Sequence, residues 1–263
     1  MKPDSTAEKL IRSRVRLVLS QPFFGTLSLR LKLLAGSLST MATDGSRIVY
    51  NPAFVDGLSA AELEGVLAHE VLHCALGHQC RRGGRDPELW NRAADFAINP
   101  LLVANGFTLP AGALMDPVFN NLSAEEIYAR LPQTTNGGAG SKPYPQQTNA
   151  VGAKAGGSQE KPPTVPPDSS SDGLGRSALS VRAQEASEAT EHAPVQPGGF
   201  GEVWDATDED GNAASPAEMR RQQHEWGITA EQALRAAKAC GSDPAGVERP
   251  LSETRQSQQD WRE

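Results

Sequence analysis

Two histidines and a glutamate, in the run His69-Glu70-Val71-Leu72-His73, are the residues of this chain best able to do chemistry together. In a helix, positions i and i+4 lie about 40° apart on one face and about one turn apart, so both imidazoles can reach one ion. Glu70 lies off that axis and can hold a water bound to the same ion. Two neutral imidazoles as ligands with a carboxylate as general base is the arrangement of zinc hydrolases. The plain alternative is a pair of core histidines hydrogen-bonded to backbone.

The surroundings argue against that alternative. Leu63, Val66, Leu67, Val71, Leu72, Ala75 and Leu76 fall on nearly every side of the helical wheel, and a helix apolar all round is a buried one. Between Glu64 and Gly77 the ionisable side chains are His69, Glu70, His73 and Cys74. Two imidazoles and a carboxylate are costly to bury unless something pairs with them. Ser59 and Glu62 form a capping box that starts this helix, Leu58 and Leu63 a hydrophobic staple, and Gly77 a stop.

Hydrolytic zinc keeps three protein ligands and one open position. His78 is five residues past His73, about 140° round a continuous helix, and only a turn at Gly77 brings it back. Cys74 and Cys80 with His78 lack the paired cysteine spacing of structural zinc sites. Asp95 sits among small and apolar residues in Ala93-Ala94-Asp95-Phe96-Ala97-Ile98-Asn99. It shares a polar strip with Asn91, Arg92 and Asn99. That strip is either a solvent face, with Arg92 pairing Asp95, or a metal-facing one, with Asp95 as ligand and Asn99 supporting it.

The elements around these residues can be read in order. Ser5 and Glu8 box a helix over residues 5–20, and Leu27, Leu29, Leu31 and Leu33 alternate as a strand. Asp44-Gly45 marks a turn into the short strand Arg47–Tyr50, making a small antiparallel sheet ahead of the motif helix. After a polar loop, Asp86-Pro87 opens a helix through Trp90 and Ile98 that should stop near Asn99, before Pro100. Ser123 and Glu126 box another, ending before Pro132. From 133 to 198 the chain is rich in Gly, Ser, Pro and Gln and is expected to be a disordered linker. Residues 199–263 regain order, with helix starts at Ser215-Pro216 and Thr229 and a stop at Gly241. That C-terminal segment is too small for its own core, so it must dock on the first domain, residues 1–132, or on something else.

Composition narrows the classes. Of 263 residues, 38% are hydrophobic and 5% aromatic, which leaves part of the chain unpacked. A net charge of -7 argues against a nucleic-acid or anionic-membrane partner. No apolar run approaches the ~20 residues of a membrane span. Arg12, Arg14 and Arg16 interrupt what would be a secretion signal, and three irregularly spaced cysteines make no disulfide framework. The expected compartment is the cytoplasm.

Thr43-Asp44-Gly45, Tyr50-Asn51-Pro52, His69 to His73 with Gly77-His78, and Trp90-Asn91-Arg92-Ala93-Ala94-Asp95 with Ala97-Ile98-Asn99 together resemble a known family. It is the zincin-type metallopeptidase domain of bacterial and phage proteins that carry VWA-like domains. The resemblance covers residues 5–132 well and 198–263 more loosely. It implies a zincin-like α+β domain, zinc on His69, His73 and Asp95, and Glu70 as base. It also implies a following VWA-like domain, so the chain is expected to be truncated or a short form.

Two functions of different classes follow. In the first, a zinc peptidase, zinc acidifies a water and Glu70 takes its proton as it attacks the amide of a peptide or protein substrate. By analogy with zincins, Arg47–Tyr50 would be the edge strand that pairs with substrate, and Tyr128 and Asn51 are weak candidates for oxyanion stabilisation. In the second, a non-catalytic module keeps zinc for stability and binds a VWA-like partner. A fourth protein ligand would mark that second reading.

Overall fold

Four serines decide where four of the helices begin. In the computed structural model, which describes residues 5–132, 199–208 and 211–259, Ser5, Ser59, Ser123 and Ser215 each accept from the backbone N–H three residues on. The glutamate at that position returns the bond in every case. Each such cap contributes about 1 kcal/mol. They start α1 (Thr6–Ser20), α4 (Ala60–Ala75), α7 (Ala124–Arg130) and α8 (Pro216–Ala239).

The other helices are α2 (Pro22–Ser28), α3 (Pro52–Gly57), α5 (His78–Arg81), α6 (Pro87–Ala104) and α9 (Glu248–Gln259). Strands β1 (Lys32–Ala35), β2 (Met41–Thr43), β3 (Arg47–Tyr50) and β4 (Glu202–Val203) form one sheet in the order β1-β3-β2-β4. The fold is thus mixed α and β, nine helices and a four-stranded sheet among the described residues. No described helix is long and apolar enough to cross a membrane.

The sheet is mixed rather than antiparallel. β2 and β3 form a hairpin across the Asp44-Gly45 turn, but β1 pairs parallel with β3, and β4 parallel with β2. β3 is therefore interior, not the edge expected for Arg47–Tyr50. The leucine alternation from 27 to 33 is also not one strand. Pro22 at the first helical position and Phe23, Phe24 and Leu27 on one buried face make α2 instead, and only Lys32–Ala35 is extended.

Two expected breaks are absent. α6 runs through Pro100 to Ala104, because Leu102 beyond it is fully buried in the core and outweighs one missing backbone bond. α8 is continuous past Thr229, whose hydroxyl donates to the Glu225 carbonyl inside the helix. The loop expected after Gly77 contains the short helix α5. The linker expected over 133–198, and the chain end from Asp260, lie outside the described residues.

The core centres on α4. Leu63, Val66, Leu67, Val71 and Leu72 meet Leu10, Leu17, Phe23, Phe24 and Ile48 from the N-terminal elements. Phe200, Trp226, Ala230, Ala233, Leu234, Ala237 and Val247 from the C-terminal elements fill the same cluster. Trp226 also donates its indole N–H to the Gly45 carbonyl at 2.8 Å, tying α8 to the β-turn.

Candidate metal centre

α4 and α6 pack against each other. His69 and His73 on α4 and Asp95 on α6 turn toward one point. Nε2 of His69 lies 2.9 Å from Nε2 of His73, and Oδ1 of Asp95 lies 3.4 and 3.3 Å from those two nitrogens. All three residues, and Glu70, are fully buried. Among the described residues this is the one group of three side chains able to share an ion.

The protonation of the rings follows from what lies behind them. Asn99 donates its Nδ2 to the Leu114 carbonyl, so it is Oδ1 that faces His69 Nδ1, at 3.0 Å. Nδ1 of His69 therefore carries the proton and Nε2 offers a lone pair. Nδ1 of His73 is 3.0 Å from Nδ1 of His78; with His73 as donor, its Nε2 is likewise an acceptor. Two imidazole lone pairs and a carboxylate oxygen then converge in a dry site. The Asp95 oxygens, 3.3–3.4 Å from the rings at nearest, and those of Glu70 have no hydrogen-bond partner. Buried acceptors left unpaired are costly. A cation at their centre removes that cost, and a tetrahedral site with zinc–nitrogen bonds has donors about 3.3 Å apart, matching this triangle. The residues fit a metal ion, which His69, His73 and Asp95 would hold.

Electrostatics agree. Burial, then the neighbouring His69, lowers His73 to about 4, so the ring is neutral as a ligand must be. Burial likewise pushes His78 well below its ordinary range. For Asp95, burial acts upward, but positive charge at the imidazoles, His69 first, outweighs it and holds the carboxyl below its usual value; with the rings neutral, that charge has to come from a bound cation. Burial, with Asp95 and Glu202 adding to it, raises Glu70 well above the carboxylate range.

Three of the four residues of the polar strip on α6 face inward, and Arg92 is half-buried. Asn91, Asp95 and Asn99 are buried, and Asp95 lies against the imidazoles rather than on a solvent face. Asn99 supports His69, not Asp95. His78 does come round at Gly77, whose φ of 68° turns the chain, but it reaches the far nitrogen of His73 instead of the cluster. Cys74 and Cys80 are engaged elsewhere, with Thr43 and Gln222. Tyr128 accepts from the Asp86 N–H and Asn51 caps α3 and donates to the Leu38 carbonyl.

One part of the site has no signal beside the motif: Gly199, Phe200 and Gly201 lie over the cluster, with the Phe200 ring 4.8 Å from that of His69. Their two glycines in an otherwise Gly-rich stretch gave no reason to single them out.

Comparison with known proteins agrees with the geometry. The profile of one family, described as "Putative metallopeptidase domain", matches residues 5–263. No curated protein and no solved structure matches the chain. With nearly its whole length matched, and with a buried cluster on α4 and α6 that could hold a metal ion, this chain belongs to that metallopeptidase-domain family.

Proposed function

We propose that the chain is a zinc-dependent peptidase of the zincin type, with His69, His73 and Asp95 as ligands and Glu70 as general base. The observation that carries this reading is the convergence of two imidazole nitrogens and a carboxylate oxygen, all fully buried, at 2.9–3.4 Å from one another. Zinc bound there supplies a Lewis acid that lowers the pKa of water and polarises an amide carbonyl.

The remaining work falls to the chain's own groups. Asn99 and His78 hold the two rings in their ligating tautomers from behind. Asp95 supplies the negative charge that favours a dication over a monocation. Glu70, unpartnered and with its proton affinity raised by burial, accepts a proton from the attacking water at a carboxylate oxygen and passes it to the departing amine. Three protein donors converging, with no fourth in the group among the described residues, support a hydrolytic rather than a closed structural centre.

Glu70→Gln tests the reading, because it keeps size and removes the base. Zinc content and fold should persist while cleavage of a proteome-derived peptide library falls by about 10²–10⁴. Undiminished cleavage in the mutant would take Glu70 out of the mechanism. Absence of zinc after zinc-replete expression would remove the site altogether.

A further inference from the structure

His69, Glu70, His73 and Asp95 are sealed from solvent, and a piece of main chain takes part in the seal. A Cβ on Gly199 would stand 2.5 Å from Oδ2 of Asp95. One on Gly201 would stand 2.5 Å from Oε1 of Glu70 and 2.7 Å from Nε2 of His69. No side chain fits at either position, so the backbone itself lies against the ligands and the base. Between them the Phe200 side chain is buried against the His69 ring.

The segment then continues as β4, in parallel register with β2, Ala42 beside Glu202 and Thr43 beside Val203. Without β4, β2 would be the edge of the sheet. Asn91 clamps this stretch from α6: its Nδ2 donates to the Gly201 carbonyl at 3.2 Å, and its Oδ1 accepts from the Val203 N–H at 2.8 Å. Extended main chain on an edge strand, one side chain in a pocket and backbone beside a carboxylate base is how a sheet edge would hold a peptide for hydrolysis.

We infer that Gly199–Val203 is a built-in occupant of the peptide-binding position beside β2. The centre is latent while this strap is seated, and a substrate replaces it as an extended segment carrying a bulky aromatic residue between two glycines. The inference rests on the peptidase reading of the same centre. It is held by the packing of Phe200 and Val203, the two Asn91 hydrogen bonds and the Trp204 N–H to the Thr43 carbonyl at 2.8 Å, while β4 itself is two residues long. A strap that had only to complete the core would not need to bring bare backbone onto the carboxylates.

The test uses the full chain as wild type, Asn91→Ala and Phe200→Ala, the second variant guarding against misfolding of the first. Amide hydrogen exchange over residues 199–204, in metal-free and zinc-loaded protein, reads the strap independently of activity. Exchange there should quicken about tenfold or more in Asn91→Ala, as expected for losing two hydrogen bonds, with the α4 amides unchanged. Zinc release to a chelator and cleavage of a synthetic peptide centred on Gly-Phe-Gly should quicken similarly, and a Gly-Ala-Gly peptide should be cut more slowly. Strap amides that exchange only by global unfolding in all three proteins would overturn the inference, making the segment a fixed strand. Wild type cutting as fast as the variants would also overturn it while leaving the peptidase reading intact. Faster exchange and zinc release without any cleavage would uphold the strap as a cover and sink the peptidase reading. Scission of the chain itself between 199 and 201 would overturn latency, because the strap would then be a substrate.

Discussion

Asn99→Ala asks whether the cluster is prepared from behind. Asn99 and His69 are both fully buried, and the 3.0 Å contact between Oδ1 and Nδ1 is the reason Nε2 carries a lone pair. Alanine leaves the Nδ1–H without an acceptor where water does not reach, at a cost of about 1–3 kcal/mol. The ring can escape by carrying its proton on Nε2, facing Asp95 3.4 Å away. Metal must then expel that proton, so the cost falls on affinity more than on the metal-free fold. Losing the partner of a ligating histidine weakens metal binding by about 10–100-fold, or roughly 1.4–2.7 kcal/mol. Competition for zinc against a chromophoric chelator measures the affinity, and urea unfolding of the chelated proteins measures the fold. Zinc should bind about 10–100-fold more weakly, with the metal-free midpoint moved far less. Equal affinity, or lost stability with affinity untouched, would refute the orienting role of Asn99.

Three further outcomes are expected. His78→Ala removes the partner of His73 Nδ1 at 3.0 Å and should weaken zinc by about tenfold or more without abolishing it; complete loss would make His78 a ligand, and no change would make its contact idle. Acid should destabilise the metal-free Glu70→Gln protein, because His73 is lowered to about 4 when folded and the unfolded chain takes up that proton first. Stability is complete above the unfolded value near 6.5 and is lost as pH falls toward 4, by about 3 kcal/mol, with His78 acting in the same direction. Wild type should respond less steeply, since raised Glu70 has the opposite sign, and urea midpoints that are flat over this window would contradict the burial of a neutral His73. Trp226→Ala should cost about 3–5 kcal/mol in urea unfolding of the whole chain, because Trp226 fills the α4 core and bonds Gly45; a loss below about 1 kcal/mol would mean that α8 is only loosely attached.

Local chemistry was legible in the sequence. Capping boxes at Ser5, Ser59, Ser123 and Ser215, the Asp44-Gly45 turn and the all-round apolar wheel of α4 depend on residues within a turn or two of each other. The three converging side chains were legible too: His69 and His73 through helical spacing, and Asp95 through the family resemblance, its polar strip alone leaving a solvent face and a metal-facing one open. What failed was wherever distant packing overrides a local preference. Buried Phe23, Phe24 and Leu27 turned a period-2 leucine pattern into α2, and buried Leu102 carried α6 through Pro100. The same holds inside the site. Spacing on one helix could place Asn99 near Asp95 but could not say that its oxygen meets a ring on α4. It could not foresee that Gly77 would send His78 to the back of His73. The strap was least legible of all, because Gly199 and Gly201 matter for the side chains they lack, and only the tertiary fold shows which carboxylates occupy that space. Helical geometry thus chose the candidates from sequence, and contacts between residues far apart in the chain decided their tautomers, their burial and what covers them.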